Sequence, residues 1–95
     1  MIKIVAKRTV RTGQTDRYLA LAGELVERSR AEAGNVFYTL NRSTTDPDTF
    51  VFLEAWRDQA AVDAHNASEH FTRLVPQLGA LVETAFPVEL FTEVL

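Results

Sequence analysis

The segment TFVFLEAW, residues 49–56, carries apolar side chains on both faces of one predicted strand. Successive side chains of a strand point to opposite faces. The two apolar sets are Phe50, Phe52 and Trp56 on one face and Val51, Leu53 and Ala55 on the other. A strand in a sheet with one wet face would be polar on that face. Something must therefore cover both faces, because exposing one would forfeit several kcal/mol at roughly 25 cal/mol per Å² of apolar area.

The other elements follow from hydrophobic periodicity and turn chemistry. In chain order the predicted elements are a strand over 2–11, an amphipathic helix from Gln14 to Ala33 ended by Gly34, strands 35–43 and 49–56 joined by the turn TTDPD, a helical region from Asp58 to about Glu83, and a closing strand over 87–95. A capping box of Asn66 with Glu69, or Ser68 as a second candidate N-cap, predicts a break in the helical region. Pro76 predicts a bend near Thr72.

The order strand, helix, strand, strand, helix, strand predicts an α+β fold of the ferredoxin-like split βαβ type, an antiparallel sheet with both helices on one face. At this length we expect a single domain over residues 1–95. The helices cover only one face of strand 49–56. We expect a homodimer that pairs two sheets face to face to cover the other, with the C-terminal strand able to reach the partner.

Composition excludes several classes of function. The absence of cysteine excludes disulfides, thiolate metal sites and cysteine nucleophiles. A net charge of −3 without a basic cluster gives no footprint for nucleic acid. No segment is apolar enough for a membrane span, and the N-terminus lacks the pattern of a secretory signal, so we expect a cytoplasmic protein. The expected partner is a small molecule or a second copy of the chain.

A candidate site lies where the third strand leaves the sheet and the chain returns as a helix. Glu54 and Trp56 share a strand face with Phe50 and Phe52, and His65 follows nine residues after Trp56. These side chains could converge in a largely apolar space with few polar groups, which is where small ligands usually bind. A solvated carboxylate and an ordinary core tryptophan are the structural alternatives.

The two histidines, His65 and His70, are candidates for proton transfer. Residues five apart on one helix are rotated by about 140°, whereas chelation from one helix uses positions about 40° apart, so we expect no metal site. A third ligand is also missing from the pattern. His65 lies on the apolar side of its helix, and His70 lies in a first helical turn, where the helix dipole favours neutral imidazole. Each could equally be a structural residue.

The segment FVFLEAWRDQAAVDAHNASEHF, residues 50–71, strongly resembles the antibiotic biosynthesis monooxygenase (ABM) family, particularly its small quinol-monooxygenase-like members. The resembling features are a strand ending in E-x-W, a helix with D-x-x-A-x-x-x-H, and S-x-H-F. The resemblance implies a dimeric α+β barrel built from ferredoxin-like subunits. Haem-degrading members are similar in fold but use an Asn on the first strand, where this chain offers Lys7 and Arg8.

By this resemblance the expected activity is a cofactor-independent monooxygenase that oxidises a quinol or hydroxylated aromatic with O₂. His65 or His70 would be the base, and Glu54 would orient the histidine or a substrate hydroxyl. The aromatic residues expected to bind substrate are Trp56, Phe50, Phe52 and Tyr38, the last as a donor to an oxyanion. The alternatives are an isomerase of a small phosphorylated or carbonyl metabolite and a non-catalytic dimeric binder.

Overall fold

The computed structural model describes all of residues 1–95. The elements are β1 Ile2–Val10, α1 Thr15–Arg30, β2 Asn35–Arg42, β3 Thr49–Trp56, α2 Gln59–Asn66, α3 Glu69–Gly79, β4 Val82–Ala85 and β5 Glu89–Thr92. The predicted strands over 2–11, 35–43 and 49–56 are confirmed to within one residue. The first helix ends three residues earlier than Ala33, and Ala31 is its C-cap.

The sheet is antiparallel, with the strand order β2-β3-β1-β4 and with β5 also paired to β1. Its two central strands are therefore β1 and β3, which explains why β3 is apolar on both faces. This order and the two helical crossovers confirm the ferredoxin-like arrangement.

The helices cover one face of the sheet and form the core with it. The buried apolar residues on that face include Ile4, Phe50, Phe52 and Trp56 from the sheet and Tyr18, Leu25, Val62 and Leu74 from the helices. The strand register places Ile4 beside Glu54 and Ala6 beside Phe52 on this same face. The carboxylate of Glu54 is thus carried into the layer between sheet and helices.

The predicted break in the second helical region is confirmed at Ala67 and Ser68. The Ser68 hydroxyl accepts a hydrogen bond from the Phe71 backbone N–H and is the N-cap of α3. The Asp58 carboxylate caps α2 in the same way by accepting from the Ala61 N–H. The helix α3 continues through Pro76 to Gly79.

The C-terminal boundaries differ from the prediction. The second helical region ends at Gly79 rather than near Glu83, and residues 82–85 form a strand. Apolar residues at Leu81 and Val82 fit a strand as well as a helix, so periodicity alone did not separate the two. The closing strand is not continuous over 87–95, because β4 and β5 are two short strands that pair with opposite ends of β1. Pro87 lies between them and has no N–H to donate to a ladder.

The second face of the sheet is not covered by any element of the chain. Strand alternation places Val5, Leu53 and Phe37 there, and Phe91 of β5 pairs with Lys3 on the same face. Phe37 is 40% exposed and Phe91 is 49% exposed. None of the helices combines the length and apolar character needed to cross a membrane.

A close approach at Gly34 holds α2 against the turn between α1 and β2. The Arg57 N–H donates to the Gly34 carbonyl over 2.9 Å. A Cβ on residue 34 would lie far inside van der Waals distance of the Ala61 Cβ. This contact brings the turn that follows α1, with Glu32, beside α2.

The close approach yields a matched pair of substitutions. Gly34→Ala should lower the free energy of unfolding by about 1–3 kcal/mol, because the added methyl overpacks the contact with Ala61. Gly23→Ala, within α1 and with no atom near the added Cβ, should raise it by up to about 1 kcal/mol, because alanine favours a helix. Urea denaturation measures both. Equal stability of Gly34→Ala and the native chain would contradict the assigned contact.

Candidate functional site

A cavity of about 710 Å³ lies between the helices and the covered face of the sheet. Of its 20 lining residues 14 are hydrophobic, so it suits a largely apolar ligand. The lining includes Ile4, Ala6 and Phe52 from the sheet, Tyr18 and Leu25 from α1, Val62 from α2, Phe71, Val75 and Leu78 from α3, and Val82, Val88 and Leu90 from the C-terminal segment. The ionisable groups in its wall are Arg8, Glu54 and His65, together with the phenols of Tyr18 and Tyr38.

Glu54 is a buried carboxyl at one end of this cavity. Its residue is only 7% exposed, and its Oε1 accepts a hydrogen bond from the Trp56 indole Nε1 over 2.9 Å. Burial raises the pKa of Glu54 to about 7, the Trp56 hydrogen bond opposes this rise, and the charge of Glu32 adds to it. A carboxyl with this pKa exchanges protons readily near neutral pH.

His65 lies beside Glu54 in an aromatic enclosure. Its ring centroid is 4.4 Å from that of Trp56 and 5.0 Å from that of Phe71. Burial lowers the pKa of His65, while the hydrogen bond and charge of Glu32 act in the opposite direction. The imidazole is therefore neutral near neutral pH.

The hydrogen bonds of His65 fix which ring nitrogen carries the proton. Nδ1 lies 2.7 Å from Glu32 Oε2. A carboxylate only accepts, so Nδ1 carries the proton and Nε2 keeps its lone pair. Nε2 is buried, has no hydrogen-bond partner, and lies 4.0 Å from Glu54 Oε1. An unpartnered basic nitrogen thus stands beside a carboxyl at the cavity end.

Glu32 is the site residue that sequence reasoning missed. The helical pattern of α1 assigns Glu32 to the polar side, and the structure places it in the turn after the helix, where its Oε2 also lies 2.9 Å from His70 Nε2. The partners are separated by 33 and 38 residues along the chain. The one local signal was Gly34, whose missing side chain permits the close approach of the turn to α2.

Glu32, His65 and His70 form a cluster of metal-binding side chains, although the sequence led us to expect no metal site. One ligand atom each from Glu32, His65 and His70 lie within 4.8 Å of one another. The third ligand that the sequence pattern lacked is thus present, and two imidazoles with one carboxylate are a donor set that could hold Zn²⁺. The same atoms are already joined by hydrogen bonds in which one carboxylate oxygen serves both rings.

The other predicted site residues fall into two groups. Phe52 and Tyr38 line the cavity with Glu54 and His65, whereas Phe50, Trp56 and His70 lie outside its wall. Trp56 is fully buried and acts on Glu54 through its indole N–H. Burial, and then the charge of Glu54, raises the pKa of Tyr38, so its phenol stays protonated and can donate a hydrogen bond.

Comparison with known proteins places the chain in a family. Residues 1–77 match the model of the antibiotic biosynthesis monooxygenase family. The chain belongs to this family. The YcnE protein of Bacillus subtilis is 40% identical over 75 residues, which are 79% of each chain. The resemblance seen in residues 50–71 is therefore confirmed.

Solved structures agree with this assignment. The chain is similar to a crystal structure of an antibiotic biosynthesis monooxygenase with a TM-score of 0.93, 41% identity and 99% coverage of each chain. It is also similar to the protein PA3566 of Pseudomonas aeruginosa, with a TM-score of 0.89, 30% identity, and coverage of 99% of this chain and 94% of the other. The ABM fold is thus shared over the whole described chain, including the C-terminal segment that lies beyond residue 77.

Burial of Glu54 predicts a pH-dependent cost in stability. Its folded pKa of about 7 lies above the ordinary value of 4.5, so the folded state binds more protons between these values and the free energy of unfolding falls as pH rises through this window. Glu54→Gln keeps an acceptor for Trp56 and removes the charge. Its stability relative to the native chain should rise by roughly 2 kcal/mol between about pH 5 and pH 8.

The matched control is Glu27→Gln, which removes an exposed carboxylate from α1. Its stability difference from the native chain should not change over the same window. Urea denaturation as a function of pH measures all three proteins. A flat difference for Glu54→Gln would show that Glu54 is not held neutral by burial.

Proposed function

We propose that this ABM-family protein is a cofactor-independent monooxygenase that oxidises a quinol or hydroxylated aromatic with O₂. The observation that carries the proposal is the unpartnered Nε2 of His65 beside Glu54 at the end of an apolar cavity. The cavity volume and its apolar wall suit a planar aromatic molecule.

The protein's part in this reaction is removal of a proton. The hydroxyl of a bound quinol enters the end of the cavity, and its proton passes to the pair formed by Glu54 and His65. Glu32 holds the ring of His65 and stabilises the imidazolium that forms, because its carboxylate lies at hydrogen-bond distance from Nδ1. Trp56 likewise orients Glu54, because its indole N–H donates a hydrogen bond to the Glu54 carboxyl. The Tyr38 phenol can donate to the phenolate oxygen.

The deprotonated quinol then supplies the electrons itself. A phenolate gives up an electron to O₂ far more readily than the neutral phenol does. Overall one quinol and one O₂ give one hydroxylated quinone and one water. The substrate loses four electrons, one oxygen atom enters a carbon–hydrogen bond, and the other leaves as water. The surrounding aromatic and aliphatic wall keeps water from the reactive intermediate.

A homodimer is the second part of the proposal. Support comes from the apolar residues on the uncovered sheet face, with Phe37 and Phe91 at 40% and 49% exposure. Large exposed apolar patches mark interaction surfaces. Two sheets packed face to face would cover Leu53 at the centre of each.

The proton-transfer step predicts a graded loss of activity. His65→Gln should lower the rate of oxygen uptake with a quinol panel by about 10²–10⁴-fold, since general base catalysis contributes that much. Glu32→Gln should lower it less, because the amide oxygen still accepts from Nδ1 but no longer stabilises the imidazolium. Arg73→Gln, on the outer surface of α3, is the control and should leave the rate unchanged.

Oxygen electrodes measure these rates in protein treated with EDTA. Loss of activity with the chelator and its return with Zn²⁺ would instead assign the Glu32, His65 and His70 cluster to a catalytic metal. Full activity of His65→Gln would overturn the proposed base. Turnover of a ketose phosphate without oxygen uptake would favour the isomerase, and ligand affinity without any turnover would leave a binder.

The raised pKa of Glu54 predicts the shape of the pH profile. The pair of Glu54 and His65 can accept the substrate proton only when the pair is not already protonated. The rate should therefore rise with pH and level off near pH 7, the pKa of Glu54. In Glu54→Gln the remaining titrating member is His65, whose pKa is lowered by burial. The rising limb should therefore move to lower pH. A limb that stays in place would remove Glu54 from the pair.

The proposed dimer predicts that one substitution on the uncovered sheet face will separate the two subunits. Sedimentation velocity should give the mass of two chains, and Leu53→Glu on the uncovered face should give the mass of one, because the new charge would be buried between the sheets. Leu19→Glu makes the same change on the exposed side of α1 and should leave the dimer intact. A native chain that sediments as a monomer would contradict the dimer.

A further inference from the structure

The cavity wall contains one cationic side chain, Arg8, at a distance from the proton-transfer pair. No other lysine or arginine is among the lining residues. Arg8 lies on the covered face of β1 and pairs with Phe50, whereas Glu54 pairs with Ile4. Four residues of strand separate these two positions, which is roughly 13 Å at about 3.3 Å per residue. The two polar ends of the cavity are thus held apart by the sheet itself.

The guanidinium of Arg8 is fixed by the backbone and not by a counter-charge. Its Nη1 donates to the Lys7 carbonyl over 2.7 Å and to the Phe86 carbonyl over 3.0 Å. None of the ion pairs of the chain includes Arg8. The two carbonyls hold the fork in place and neutralise none of its charge. A cation placed in this way at a cavity wall is suited to an anion from outside the protein.

Tyr18 adds a second donor at the same end. It is 1% exposed, it lines the cavity, and its ring centroid is 5.5 Å from that of Phe50, the residue paired with Arg8. Burial raises the pKa of its phenol, and the nearby charge of Arg8 opposes this rise only in part. The phenol therefore stays protonated at neutral pH. A buried O–H and a guanidinium together can bind a carboxylate with directed hydrogen bonds.

From this arrangement we infer that the cavity takes an aromatic substrate that carries an anionic group opposite its reacting hydroxyl. The hydroxyl meets Glu54 and His65, the ring system lies along the apolar wall, and the anion is bound by Arg8 and Tyr18. The span between the ends suits two or more fused rings. This inference rests on the proposed function for the reacting hydroxyl, and the anion site itself does not depend on turnover.

Binding of two matched probes tests the anion site without any reaction. 6-Hydroxy-2-naphthoate and 6-hydroxy-2-naphthamide have the same shape, and only the first carries a negative charge. Isothermal titration calorimetry at neutral pH, without oxygen, should show the naphthoate binding about tenfold or more tightly than the amide. Arg8→Gln should abolish that preference, and Arg8→Lys should keep part of it.

Lys7→Gln is the matched control for the loss of one positive charge. Lys7 is the neighbour of Arg8 on β1 but points to the other face of the sheet, where its Nζ lies 4.7 Å from the Phe86 ring. The preference for the naphthoate should survive this change. An equal loss in Lys7→Gln and Arg8→Gln would reduce the effect to overall charge and overturn the site.

Other results of the binding and oxygen-uptake measurements would also support or overturn the inference. Equal affinity of the native chain for both probes, or no binding of either, would overturn the inference even if Arg8→Gln failed to fold. Tighter binding of a ketose phosphate than of the naphthoate would keep the anion site and overturn the aromatic ligand. Charge-selective binding with no oxygen uptake from any quinol would support the anion site and count against the monooxygenase alone.

Discussion

The contact between Glu32 and His65 is the interaction on which the site depends. It places a carboxylate at Nδ1 of a ring that is otherwise enclosed by aromatic side chains. Without that carboxylate either nitrogen could carry the proton, and the buried ring would be free to present a donor instead of a lone pair to the cavity. The contact exists because Gly34 lets the turn after α1 approach Ala61 of α2. A glycine outside the cavity thus fixes the chemistry of a nitrogen inside it.

Burial in the same enclosure shifts the pKa values of Glu54 and His65 in opposite directions. Desolvation disfavours the charged forms of both Glu54 and His65, so it raises one pKa and lowers the other. The pKa of Glu54 is thereby raised to about 7 and that of His65 is held below its ordinary value, so a carboxyl that exchanges protons near neutral pH lies beside a neutral imidazole. Trp56 and Glu32 each support one member by a single hydrogen bond. The site is therefore built from two weakly solvated groups and two supporting residues outside the cavity wall.

The fold was predictable because its determinants are local. The apolar and β-branched residues of β1, β2 and β3, the turn between β2 and β3, and the N-cap at Ser68 are properties of a few adjacent residues. Convergence of Glu54, Trp56 and His65 followed from one short connection between a strand and a helix. Glu32 was not predictable, since its role depends on a contact 33 residues away. The predicted end of the helical region near Glu83 was wrong, because a short apolar run fits both the helical and the strand periodicity. Only the pairing of Val82 with Val10 shows that this run is a strand.

The alternation of β1 side chains between the two faces of the sheet links the fold to the kind of ligand that the cavity would bind. A strand with covered and uncovered sides distributes consecutive residues between two surfaces of different function. Arg8 enters the cavity, and Lys7 remains on the surface proposed to meet a second subunit. A shift of one residue in the pairing of β1 with β3 would exchange them and give the cavity the single ammonium of Lys7 in place of the guanidinium of Arg8. The register of the central strand pair therefore determines both the polarity of the cavity and the direction in which an anionic aromatic molecule would lie.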